Sequence, residues 1–415
     1  MQARWGRSGP DAMSASGRLA ASFAAGFSSG LSLTLGLEEE LILVDALSLL
    51  PVDAVEWVLA RARGDACFTA ELRACQVEAR TPVCLTVADA CRELAGARRR
   101  LDSLLGDRLR LLAVGTHPTI AAPVAVTARE RYRRIAGECG WTLRRGQPSG
   151  LHVHVGVGDP DEALAIYNAA RSHLPELAAL AANSPFFEGG DTGLASTRLK
   201  LTEDLPRSGI PPAFASWQSL AEFALWARSG ESSADLSYLW WDLRPRPDYG
   251  TLEFRVADTQ LTPADSGAVA AVCQTLVAAL AERWRSGRPL PVHESHRLSE
   301  NRWRALRDGL DGTLIDPESG VVEPTRERIA RLLEQLQPHA EALGCERELA
   351  HAWSLLRANG ATRQRAIADR VGPLGLLEWL GDETERALAG EHDPVGEASQ
   401  PAAPSPEPAA VATIS

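Results

Sequence analysis

Lysine is nearly absent from this chain. Of 43 basic residues, 42 are arginine and Lys200 is the single exception. That bias fits a GC-rich genome. A basic balance is also missing: the net charge is -11, which argues against general nucleic-acid binding. No apolar run reaches the roughly 18 residues that a membrane helix needs, so no span is expected. The seven cysteines, at 67, 75, 84, 91, 139, 273 and 345, include no CxxC pair. An odd, scattered set excludes a zinc knuckle and points to a reducing, cytoplasmic setting. GxxxxGK[ST] is missing, as is GxGxxG after a strand, which excludes the usual P-loop and dinucleotide sites. What remains is ordinary for a globular protein: 45% hydrophobic and 23% charged residues in a chain of 415.

Residues 1–30 are small and polar, without the apolar segment of a signal peptide. A disordered N-terminal extension is expected there, with Met13 as an alternative start. Residues 31–388 read as one domain. Residues 389–415 are rich in Pro and Ala and should form a disordered tail. Helical periodicity runs through 52–63, 86–108, 161–182, 263–286 and 326–388. The basic run Arg98–Arg100 reads as a solvated helix face. His117, in the turn after the short strand Leu111–Val114, reads as structural.

Three stretches share one pattern. In LTLGLEEELILVD, Leu33 to Asp45, alternation places the leucines on one face and Glu38 and Glu40 on the other. Glu39 interrupts the apolar face, which marks a strand edge or a rim. In SGLHVHVG, His152 and His154 share a face. In GTLEFRVAD, Glu253 and Arg255 do. Glu71 and Glu78, seven apart in ELRACQVEARTP, can join them. Five carboxylates, one or two histidines and no cysteine favour Mg²⁺ or Mn²⁺ over zinc. Clustered Mg²⁺ near arginines suits polyphosphate chemistry. The loop 183–200, rich in Gly, Ser and Thr, is a candidate for shielding such a site from water.

Taken in order, GLEEE, ELRACQVEARTP, GTHP, GLHVHVG, SPFFEGGDTGLASTR, WWDLRPRP, GTLEFRVAD and ENRWRALRDGLDG resemble the glutamate–cysteine ligase type 2 family of bacterial carboxylate–amine ligases. The resemblance spans about residues 33–388, making 31–388 a carboxylate–amine ligase catalytic domain. The family belongs to the glutamine synthetase superfamily. It therefore implies an α+β fold, with a curved antiparallel β-sheet cupping the active site and helices packed behind it. It also implies ATP with Mg²⁺ (or Mn²⁺). By resemblance, Glu38, Glu40, Glu71, Glu78, His152 and Glu253 are metal ligands. Arg255 resembles the catalytic arginine on the transferred phosphoryl group. His154, Arg198, Arg244 and Arg246 resemble phosphate or substrate contacts, and Glu39 carries no role.

The function expected is amide formation from amino-acid substrates and ATP through an acyl phosphate, including weak glutamate–cysteine ligation. The alternative is a phosphotransferase acting on a guanidino or carboxylate acceptor with the same fold. A non-catalytic protein with a metal-stabilised sheet is a third reading, disfavoured because a binding role has no need of all five acids. Neither nucleic acid nor membrane is expected as a partner, and a homodimer is left open.

Overall fold

The computed structural model describes residues 14–28, 32–120, 125–228 and 236–389. The expected tail, 389–415, lies almost entirely outside them. Seven strands form the main sheet: β1 (Leu35–Asp45), β2 (Phe68–Ala70), β3 (Gln76–Arg80), β4 (Leu109–Leu112), β5 (Gly150–Gly156), β6 (Leu243–Arg246) and β7 (Thr251–Asp258). All pairs are antiparallel, in the order β2-β3-β1-β5-β7-β6. The length of β1 lets it serve two partners along one edge. Leu35–Glu39 pair with β5 and Ile42–Asp45 pair with β4.

One face of the sheet is the core face. Leu35, Leu37, Leu151, Val153, Val155, Leu252, Phe254 and Val256 are all buried in one cluster with the helices behind. The helices that matter here are α1 (Ala15–Ser28), α2 (Val87–Leu105), α3 (Pro160–Ala170), α4 (Thr197–Glu203), α5 (Trp217–Arg228) and α6 (Pro263–Arg285). Helical pattern and structure agree for α2 and α6. The span 161–182 is instead broken into α3 and Leu174–Leu180. Pro175 supplies no N–H to the preceding turn, so it starts a new helix rather than continuing the old one.

By length and composition α6 could cross a membrane, but 83% of its most apolar window is buried in the protein. It is the central core helix, and its apolar character comes largely from alanines packed on all sides.

Residues 15–28, expected within a disordered extension, form α1 instead. Phe27 is fully buried and stacks on Trp217 of α5 at 5.0 Å. A Cβ at Gly26 would lie 2.2 Å from the Pro247 carbonyl oxygen, so only glycine allows α1 to dock on the turn after β6. The small residues of this stretch permit close packing, which composition alone does not reveal.

Arg98 is fully buried rather than solvated, while Arg99 and Arg100 are exposed. The run straddles a helix boundary between core and water, and only one of three consecutive side chains can point inward.

Candidate active site

Strand register assembles the site. Directly opposed residues hold their Cβ atoms about 4.5–5.5 Å apart on one face of the sheet. Glu38 faces Arg80 on one side and His152 on the other. Glu40 faces Glu78, and His154 faces Glu253, which in turn faces Arg244. A bulge makes the last pairing possible. On one side of it Gly150 pairs with Asp258, and on the other His154 pairs with Glu253. Without the one-residue shift between Leu151 and Val153, His154 would oppose Phe254, and Glu253 and Arg255 would turn into the core. The same shift lets Asp258 share the face of Gly150, although it is an odd number of residues from Glu253.

The register brings all six expected metal ligands together, and adds His154. Three overlapping groups form: Glu38, Glu78 and His152; Glu38, His154 and Glu253; Glu40, Glu71 and Glu78. Within each, one atom per residue lies within 4.8 Å of the others. His152 Nδ1 is 3.3 Å from Glu38 and its Nε2 is 3.8 Å from Glu40. His154 Nδ1 is 3.0 Å from the Thr251 hydroxyl, which leaves its Nε2 turned toward Glu38 and Glu253. Both Nε2 atoms are buried without a hydrogen-bond partner among the described residues. Burial and the Arg255 charge hold His152 at a pKa of about 3, so it is neutral, the ligating form.

The carboxylates are unevenly charged. Burial, and then Glu71, raises Glu40 to about 7. Burial and the charges of Glu38, Glu71 and Glu40 raise Glu78 well above the ordinary range. Glu38, despite its burial, is held well below that range by the neighbouring rings of His152 and His154, which favour its charged form. Crowded acids with orphaned imidazole nitrogens are the environment a divalent cation relieves, and the oxygen-rich set fits Mg²⁺ or Mn²⁺.

Glu253 is fully buried and differs from the others. Arg244 donates to it twice, at 2.9 and 3.0 Å; Arg246 donates at 3.1 Å, and Arg255 also pairs with it. Their charges outweigh its burial and keep it ionised. Arg244 and Arg246 are therefore committed to a carboxylate. Arg198, on α4, donates to the carbonyls of Arg255 and Val256 and fills the space a Cβ at Gly150 would need.

Glu39 corrects the expectation of a rim residue without a role. β1 lies inside the sheet, and Glu39 is 0% exposed on its core face. Arg98 grips it through two 2.7 Å hydrogen bonds and also donates to the carbonyls of Gln260 and Leu261. Ser266 adds a bond at 2.9 Å. The stretch 183–200 is likewise no free loop. Asn183, Ser184 and Ser196 all donate to the buried Asp258, so most of it is anchored beneath the site. His117 is buried against the Leu49 carbonyl, as a structural histidine should be.

Two cavities meet at Glu38, Arg80 and Tyr249. The larger, about 740 Å³, is mostly apolar, with Leu35, Leu37, Cys67, Pro82 and Val83 in its wall. The smaller, about 290 Å³, is a polar bowl over the acids and arginines. Sequence reasoning missed Arg73, Tyr132, Arg145 and Trp240 in that bowl. Arg73 gave no signal, because it lies between β2 and β3, where strand alternation does not apply.

A cupped antiparallel sheet with acids and arginines on its concave face and helices behind is the fold of a known class of ligases. The structure of a Francisella tularensis glutamate–cysteine ligase in complex with AMP matches with a TM-score of 0.56 at 12% identity, over 87% of this chain and 94% of that one. A bifunctional glutathione synthetase from Pasteurella multocida matches with a TM-score of 0.60 at 15% identity, over 88% of this chain and 54% of that longer one. At such identities the likeness is one of fold. The sequence goes further: the chain belongs to glutamate–cysteine ligase family 2 (GCS2), whose model matches residues 34–397. A Rubrobacter xylanophilus relative, named "Putative glutamate--cysteine ligase 2-3", is 39% identical over 85% of this chain and 97% of its own. A Gloeobacter violaceus relative of corresponding name is 36% identical over 82% and 94%.

Proposed function

We propose that this protein is an ATP-dependent carboxylate–amine ligase that forms an amide through an acyl phosphate, with glutamate and cysteine among the pairs to test. The observation that carries the reading is the convergence of two carboxylate–imidazole groups and one all-carboxylate group, with Arg255 beside His152 at 3.3 Å.

Glu38, Glu40, Glu71, Glu78, His152 and His154, with Glu253 at their edge, would hold Mg²⁺ or Mn²⁺. Bound there, the ions supply charge neutralisation for the ATP oxygens and the transferring phosphoryl group. The apolar cavity suits the nucleoside, the polar bowl suits the two small substrates, and their junction at Glu38 is where phosphates would lie. A carboxylate oxygen of the acid attacks the γ-phosphorus and ADP leaves. The amine then attacks the acyl carbon, and phosphate leaves carrying one oxygen of the original acid. Arg255 presents a fixed charge where negative charge develops in transfer. Glu253, pinned by Arg244 and Arg246, orients it.

The test follows that oxygen. With ¹⁸O in the substrate acid, label appears in inorganic phosphate as amide forms. Label in AMP would mean adenylation instead, and a stable phosphorylated acceptor without amide would mean a kinase. Either result removes the acyl-phosphate ligase reading.

A further inference from the structure

Tyr249 lies in the turn 247–250 between β6 and β7. Its side chain is 56% exposed, beside a site built mainly of buried groups. Exposed aromatics in turns are ordinary, but this ring is held from two sides. The Arg246 guanidinium sits 4.6 Å from its centroid, and the His154 ring stands at 70° to it with centroids 5.8 Å apart. Arg246 is itself tied to Glu253 at 3.1 Å. The turn is held as well. Tyr249 N–H donates to the Arg246 carbonyl, and Val157 N–H donates to the Gly250 carbonyl at 3.0 Å. α1 docks on Pro247 through Gly26. Gly250 has a φ of 63°, which glycine adopts without strain.

Glu38, Arg80 and Tyr249 are the three described residues that border both cavities. Glu38 and Arg80 oppose each other on β1 and β3. Tyr249 comes from the other side of β5, across His154, so its ring and that pair flank the opening from opposite sides. In the ligase reading the phosphoryl group crosses from nucleotide to acid at this opening. An acyl phosphate formed there is open to water as well as to the amine. Attack by water on the acyl carbon expels the same phosphate and returns the free acid, so the net reaction is ATP hydrolysis without amide. Water far outnumbers any amine, and only its exclusion prevents this loss. The stretch 183–200 does not serve, since most of it is anchored beneath the site. A tyrosine ring supplies a large rigid cover with few rotatable bonds.

We infer that Tyr249 is a positioning residue that closes the transfer junction to solvent: its ring covers the phosphates and so couples ATP cleavage to amide formation. The inference rests on the ligase reading, but one arm of its test needs no turnover.

In that arm the full-length wild type, Tyr249→Ala and Tyr249→Phe are loaded with Mn²⁺ and a non-hydrolysable ATP analogue. Water-proton relaxation then reads how much water exchanges on the bound Mn²⁺. Exchange rises in Tyr249→Ala and stays at the wild-type level in Tyr249→Phe, because the ring, not the hydroxyl, is the shield. In the second arm ADP and amide are counted with the acid–amine pair that gives most amide. The wild type and Tyr249→Phe release the two in equal amounts. Tyr249→Ala raises the ratio of ADP to amide by about 5- to 10-fold while the KM for ATP stays within about 2-fold, as expected when only water exclusion is lost. Its melting temperature in EDTA stays within about 2 °C of the wild type, since the ring is a surface group.

Equal water exchange in the wild type and Tyr249→Ala overturns the inference, and so does an unchanged ratio of ADP to amide. Uncoupling by Tyr249→Phe as strong as by Tyr249→Ala would assign the task to the hydroxyl and overturn it. A raised KM for ATP with the ratio intact would make Tyr249 a nucleoside contact and overturn it too. If no acid–amine pair gives amide, the ligase reading fails and the relaxation arm alone decides whether Tyr249 shields the metal site. If Mn²⁺ and the analogue do not bind, both fail.

Discussion

Glu39 and Glu40 are neighbours in sequence, and the structure gives their removal opposite signs. Glu39 sits on the core face with Arg98, and both are fully buried. Glu39→Gln leaves a guanidinium charge uncompensated inside the protein, a loss of about 3–5 kcal/mol for breaking one side of a buried pair. In a domain of this size that lowers the melting temperature by about 4–6 °C. Glu40 points into the acidic cluster, where its pKa is raised from 4.5 to about 7. An unfolded chain releases that proton near pH 4.5, while the native state holds it until near 7. Between those values the unfolded state gains from rising pH, so stability falls, and above pH 7 the full penalty of about 3 kcal/mol stands. Glu40→Gln removes the penalty and can still accept the 2.6 Å bond from Gly150. Without metal at pH 7.5 it should therefore melt several degrees higher than the wild type, with the difference gone at pH 4. Excess Mg²⁺ should reverse the order, because only the wild type gains the full set of ligands. Thermal melts in EDTA and in Mg²⁺ at both pH values decide. If both substitutions destabilise the metal-free protein alike at pH 7.5, the assignment of the two faces is wrong.

Two further outcomes are expected. Activity should require Mg²⁺ or Mn²⁺, and the protein as purified should hold no stoichiometric zinc, since the ligand set is rich in oxygen and free of cysteine; elemental analysis showing one zinc per chain, with turnover surviving Mg²⁺ removal, would contradict this. Phe27→Ala should cost about 3–5 kcal/mol, because it empties a fully buried aromatic position against Trp217; an unchanged melting temperature would mean that α1 contributes nothing to the fold.

Much of the site was legible because β-strand alternation is a strict rule. Glu38 with Glu40, His152 with His154, and Glu253 with Arg255 could be put on common faces from spacing alone. What spacing could not supply was register. The bulge at Leu151–Val153 decides whether Glu253 meets His154, and no residue type in that stretch announces it. Partners distant in sequence were equally hidden. Glu39 read as a misfit in an apolar pattern because Arg98 lies 59 residues away. Asp258 was passed over because its partners Asn183, Ser184 and Ser196 sit in a stretch that resembled a loose loop. In each case a buried polar group looked anomalous until its long-range partner was known, as expected where burial is tolerated only with full hydrogen bonding. The helix α1 was missed for a related reason: its apolar stripe is thin, and docking depends on Trp217, far along the chain.

The arrangement of charge across the sheet ties these observations together. On the β1 and β3 side, Glu38, Glu40, Glu71 and Glu78 crowd one another, with Arg80 3.8 Å from Glu78 and Arg73 beside Glu71 offsetting them in part. On the β6 and β7 side, Arg244, Arg246 and Arg255 share the single carboxylate of Glu253. The two histidines of β5 stand between these halves, and His152 is kept neutral. Such a division cannot serve stability, since each half repels itself. It does suit a polyphosphate held with its cations, where metal ions answer the excess acid and phosphoryl oxygens answer the excess guanidinium. The boundary at β5 is then the natural place for transfer, with Arg255 and His152 within hydrogen-bond reach of each other across it.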